Sequence, residues 1–123
     1  MLTLDRNSNL AILEESVKYL EKQGFKNIRA EINGYQIPTK YHKVGSQEHI
    51  GPDIEAELNG SKHYFEIGVR SEKPQQLKSK WEFLETLSKL RHYRFKVITR
   101  RGHYKFTQDM LDELRIDQNP IRL

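Results

Sequence analysis

The stretch from Gly51 to Arg70 constrains this chain more than any other. At its middle stands Asn59-Gly60, the dipeptide that the tightest hairpin turns select, because both central residues of a type I′ turn need positive φ. The flanking residues alternate as strands do. With a side-chain period of two, Asp53, Glu55 and Glu57 share one face, and Ile54, Ala56 and Leu58 share the other. The returning strand divides in the same way, with Phe65, Ile67 and Val69 on an apolar face and Lys62, Tyr64, Glu66 and Gly68 opposite them.

The hairpin has a chemical consequence. Asp53 and Glu66 fall on neighbouring strands, off the aliphatic face and near the hairpin's open end. Hard divalent cations such as Mg²⁺ or Mn²⁺ take carboxylate oxygens of this kind and keep open positions for water and phosphate.

Pro52-Asp53, twelve intervening residues and then Glu66 within a hydrophobic strand resemble the PD-(D/E)XK motif of restriction endonucleases and Holliday-junction resolvases. The motif has a lysine two residues after the Glu, where this chain has Gly68. The resemblance implies an α/β fold with a restriction endonuclease-like αβββαβ core, a mixed central sheet flanked by helices. It implies metal at Asp53 and Glu66, assisted by the backbone carbonyl of Ile67 and by an acid on the first helix, for which Glu14 is the candidate. It also implies that the absent lysine, or a glutamine beside it, comes from the following helix, and Lys80 and Gln76 match those places. Many small nucleases of this type are homodimers, and the sequence leaves that state open.

Read in order, Leu10, Leu13, Val17 and Leu20 recur at helical spacing up to Gly24, after a lead-in from Met1 to Asn9. Glu14 lies at the margin of that apolar stripe, where a solvated carboxylate is the alternative reading. Phe25 to Ile32 reads as a strand, with Asn33-Gly34 a second turn signal and Tyr35 to Ile37 a short return. Thr39 to Gly51 has no period and is expected to be a surface loop carrying His42 and His49.

Pro74 suits a helix start, and Leu77, Trp81, Leu84 and Leu87 then form an apolar stripe. Lys80 interrupts it, one turn after Gln76. A lysine on a buried face either threads its ammonium to water past Trp81 or meets carboxylates, and Asp53 with Glu66 are suitable partners. From Arg91 a basic, aromatic run leads into a strand ending at Thr99, and Thr107 is placed to cap a last helix through Leu114. The tail from Asp117 is expected to fray.

Composition narrows the function classes. With 21 Lys+Arg against 17 Asp+Glu, a net charge of +4 and a pI near 9.3 favour a polyanionic partner. Arg70, Lys73, Arg94, Lys96, Arg100, Arg101, His103 and Lys105 are the candidate phosphate contacts, interleaved with aromatics that can stack on bases; solvated charges on an edge strand would read the same way. The absence of cysteine excludes disulfides and thiolate-bound zinc. No apolar run approaches the ~20 residues of a membrane span, and no secretory signal is visible, so a cytoplasmic protein without membrane contact is expected. The 123 residues suit a single domain, 1–123.

The first functional expectation is a metal-dependent endonuclease that hydrolyses phosphodiester bonds of DNA. The alternative is a catalytically inactive nuclease-fold protein that binds nucleic acid or a protein partner, which Gly68 favours. A plain structural domain, with Asp53 capping a turn and Glu66 paired to a lysine, is the third.

Overall fold

The computed structural model describes residues 6–42, 44–45 and 47–123. Its elements run α1 (Arg6–Lys22), β1 (Lys26–Ala30), β2 (Tyr41–His42), β3 (His49–Ile50), β4 (Ile54–Leu58), β5 (Ser61–Gly68), α2 (Pro74–Arg91), β6 (Arg94–Thr99), α3 (Tyr104–Glu113) and β7 (Ile121–Arg122). Five strands form a mixed sheet in the order β1-β4-β5-β6-β7, and β2 with β3 forms a separate two-stranded ribbon. The chain is thus an α/β protein with helices on both faces of the sheet.

The hairpin supplies the first half of that sheet. Asn59 and Gly60 both have positive φ, 51° and 80°, as the turn requires, and Ile54 pairs with Phe65 through to Leu58 with Ser61. β5 and β6 are parallel, so the chain must cross over between them, and α2 is that crossover. Strand parity then sorts the core into two clusters. Ile54, Ala56, Phe65, Ile67 and Ile98 pack with α1 residues Ile12, Leu13, Val17 and Leu20. Tyr64, Phe95 and Val97 pack with Leu77, Trp81 and Leu84 of α2 and with Met110 and Leu111 of α3.

Several local expectations are corrected. α1 starts at Arg6, inside the expected lead-in, whose residues 1–5 lie outside the described residues, as do Lys43 and Ser46 of the expected loop. Leu10 is exposed and Ile12 buried, because the stripe that meets the sheet is turned by part of a turn. The expected strand from Phe25 to Ile32 is only Lys26–Ala30, with a register shift between Lys26 and Arg29 where Asn27 takes φ 53°. The return to Ile37 is a single bridge between Arg29 and Gln36.

Thr39 to Gly51 is not a plain loop, since it holds the β2–β3 ribbon, with His42 opposite His49. Arg91 ends α2 rather than opening a strand, and His92 turns the chain in the left-handed region at φ 59°. β6 is interior rather than an edge, because β7 lies beside it. Thr107 does not cap α3; it lies inside that helix, buried against Gly68. The tail is ordered: Leu123 N–H donates to Thr99 O at 2.9 Å. Gln118 secures it by accepting from Val97 N–H and donating to Phe95 O, each at 3.0 Å.

Candidate active site

Asp53 stands immediately before β4, and the register that pairs Ile54 with Phe65 sets it opposite Glu66. The two residues exchange bonds. Asp53 N–H donates to Glu66 Oε2 at 2.8 Å, and Ile67 N–H donates to Asp53 Oδ2 at 2.8 Å. Each acid therefore has one oxygen anchored by a backbone donor and the other directed away from the ladder. Ile67 enters the site through its amide, with its side chain in the α1-side core.

Like charges facing each other across a strand pair repel, and here water does little to screen them. The Glu66 side chain is 0% exposed and that of Asp53 is 5%. Lys80 answers both charges. Its ammonium reaches from α2 to 3.0 Å from Asp53 Oδ1 and 3.2 Å from Glu66 Oε1. Only the first contact has hydrogen-bond geometry, so Glu66 Oε1 is a buried oxygen that receives no hydrogen bond.

This geometry separates the two acids. Burial raises both, but Asp53 is carried well below the usual carboxylate range by the Lys80 ammonium and by the Ile67 amide. Glu66 moves the other way: burial first, then the neighbouring Asp53 charge, push it up to about 7 against the pull of Lys80. Burial acts to lower Lys80, yet Asp53 and Glu66 overcome it and hold the ammonium above the ordinary lysine value. At neutral pH Lys80 is a fixed cation and cannot serve as a base.

A cleft of about 1120 Å³ opens over Asp53 and Lys80. α1 contributes Glu14 and Leu13 to its wall, α2 contributes Gln76 and Ser79, and the segment around the ribbon contributes Lys40 and His49. Glu14 and Gln76 are both exposed and lie on the wall rather than in the buried contact. His49 faces the cleft while its ring lies 5.1 Å from that of His42. Glu31 also lines the cleft and pairs with Lys40 at 3.3 Å, a contact without sequence signal because it joins two irregular segments.

Position 68 is filled from the other side. Thr99 Oγ1 donates to Gly68 O at 2.8 Å, and Thr107 Oγ1 lies 3.0 Å from both Gly68 O and Thr99 Oγ1. A Cβ on residue 68 would fall 2.8 Å from Thr107 Cγ2 and closer still to its hydroxyl. No lysine fits there. The cation beside the carboxylates comes from α2 because α3 occupies the place where β5 could have supplied one.

The basic candidates divide. Arg70, Lys73, Arg100, Arg101 and His103 follow the C-terminal ends of β5 and β6, the end at which Asp53 enters β4. Arg94 and Lys96 do not join them, because parity puts both on the α1 face and Arg94 starts β6 at the far end, opposite His63. Their charges, after burial, depress the His63 pKa. Lys105 pairs with Asp109 along α3 at 2.8 Å.

No family model matches the chain, and neither a curated protein nor a solved structure does. Among the described residues no helix is long and apolar enough to cross a membrane.

Proposed function

We propose that this chain is a metal-dependent nuclease-like protein that hydrolyses phosphodiester bonds of DNA, in the manner of the PD-(D/E)XK nucleases that its Pro52-Asp53 and Glu66 resemble. The observation that carries this reading is the buried Asp53–Glu66–Lys80 cluster, of which Asp53 and Lys80 line a cleft and Glu66 lies beneath them with one oxygen receiving no hydrogen bond.

The donor set suits Mg²⁺ or Mn²⁺. Among the described residues no three His, Asp or Glu side chains converge on one point, and a hard cation of this kind is commonly held by one or two carboxylates plus water and phosphate. Asp53 and Glu66 would hold it, with Glu14 on the cleft wall and the Ile67 carbonyl as further oxygens. When bound, it supplies a more acidic water and neutralises charge on the phosphate.

The chain's own groups have separate tasks. The backbone donors to Asp53 and Glu66 fix both carboxylates before any ligand arrives, so little reorganisation opposes the reaction. Lys80, cationic throughout, balances the acids in the free protein and stands ready to stabilise negative charge on a phosphate. Gln76 on the wall can donate to the same oxygens.

Cleavage of plasmid or junction DNA with Mg²⁺ or Mn²⁺ tests the proposal. Wild type should cut, and Asp53→Ala and Glu66→Ala should each lose at least about 10²-fold in rate, the scale of removing one group that stabilises transition-state charge. Unchanged activity in both variants would end it. A second reading, a nuclease-like protein that binds nucleic acid without cutting, is favoured by Gly68 and by the Lys80 ammonium already neutralising the acids. Thermal shift separates the two. A working two-carboxylate site gains about 2.7 kcal/mol at a hundredfold excess of divalent ion over its Kd, and a dead one gains nothing.

A further inference from the structure

Where β5 and β6 end, the chain builds a basic corner that the hydrolytic chemistry does not use. Arg70 N–H donates to His103 Nδ1 at 3.0 Å, which leaves the ring proton of neutral His103 on Nε2. His103 N–H donates to Arg100 O at 3.0 Å and closes a turn whose tip is Gly102, at φ 93°. Beneath it, the buried contacts among Gly68, Thr99 and Thr107 tie both strand ends to α3. The corner is therefore held by backbone bonds and a buried polar network rather than by its own charges.

Those charges have no counter-ion within the described residues. The ion pairs among the described residues are all made by lysines, and no described carboxylate pairs with an arginine, Arg70, Arg100 and Arg101 included. Arg70 and Arg100 both lie near enough to His103 to act on its ring. After burial, the charges of Arg70 and Arg100 are what depress the His103 pKa. The first amides of α3 lie next to His103 and add partial positive charge. Guanidiniums carried on one strand end and the turn bonded to it, with an N–H donor beside them, suit the forked recognition of phosphate.

Position says which phosphate. Arg70 is four residues beyond Glu66, a span of at most about 13 Å at ~3.3 Å per residue, and it stands at the same end of the sheet. We infer that Arg70, Arg100, Arg101 and His103 hold a backbone phosphate of the nucleic-acid strand a few nucleotides from the one presented to Asp53 and Glu66. This rests on the nuclease-like reading and adds to it the path of the strand, from the cleft across the β5–β6 end.

The experiment is fluorescence anisotropy with a short labelled single strand and the matching duplex, without divalent ion, from about 50 to 200 mM salt. The triple variant Arg70→Ala/Arg100→Ala/Arg101→Ala should lower the salt slope by about 1, the ~0.7 on a single strand or ~0.9 on a duplex that one lost phosphate contact carries. His103→Asn, which can keep an acceptor for the Arg70 amide while removing Nε2–H, should weaken binding by a few fold. Arg94→Ala/Lys96→Ala, at the far end, should leave the slope unchanged. A wild-type slope in the triple variant, with Trp81 fluorescence showing it folded, overturns the inference and leaves the cutting reading intact. Displacement of the strand by millimolar inorganic phosphate beyond that by chloride at equal ionic strength, in wild type and not in the triple variant, supports it, because only an anion competing for the corner acts in that way. If wild type binds neither strand nor duplex, the inference and the nuclease-like reading fall together.

Discussion

Replacing Glu66 by Gln isolates the cost of forcing a second carboxylate into a dry site. Glu66 is wholly buried and raised from 4.5 to about 7 by burial and by Asp53. Because its folded pKa lies above the unfolded one, the folded protein binds more protons between those values, and stability must fall as pH rises through that window. At about 1.4 kcal/mol per unit of pH, the full interval amounts to about 3 kcal/mol, of which about 2 falls between pH 5 and pH 7. Asp53, held low, acts with the opposite sign and only below its ordinary 3.8, outside the window. The assay is urea unfolding of wild type and Glu66→Gln at several pH values from 5 to 8. Wild type should lose stability relative to the variant as pH rises, levelling off above pH 7. The slope is the readout, since the new amide faces Lys80 and alters the absolute level. A flat difference from pH 5 to 8 would show that Glu66 is ionised throughout, and the account of the site as a desolvated pair bridged by Lys80 would be wrong.

Two further outcomes follow from the same geometry. Lys80→Met should destabilise by about 3–5 kcal/mol at pH 8, because it removes the ammonium that contacts both buried carboxylates; adding Asp53→Asn and Glu66→Gln should recover much of that loss in urea unfolding, and failure to recover would mean that Lys80 acts through packing alone. Gly68→Ala should destabilise by more than the 1–3 kcal/mol of ordinary overpacking, since the new Cβ meets both branches of Thr107; a double-mutant cycle with Thr107→Ala should show that the losses are not additive, and additive losses would count against the lock.

Much of the frame could be read from the residues. Asn59-Gly60 and its alternating flanks specify a hairpin because turn type and strand parity are local properties, and Pro74 marks the start of α2 for the same reason. Lys80 could be singled out because a charge inside an apolar stripe must have a partner. What escaped reading depends on contacts between distant segments. The β2–β3 ribbon has two residues per strand, too few to show a period. Ile121–Arg122 has no pattern either, and becomes a strand because β6 offers it an open edge and Gln118 holds it there. Thr107 reads as a cap because hydroxyls favour helix starts, but in place it is a buried group bonded to another strand.

By itself, then, the sequence determined which faces of the hairpin are apolar and that Asp53 and Glu66 lie on neighbouring strands, since both follow from a period of two and a two-residue turn. Only the tertiary structure decided that α3 seals residue 68 and that α2 delivers the ammonium of Lys80 to within 3.2 Å of both carboxylates. The reason is that a contact between helix and sheet depends on crossing geometry and on what else fills the space, and neither is encoded in the local order of residues.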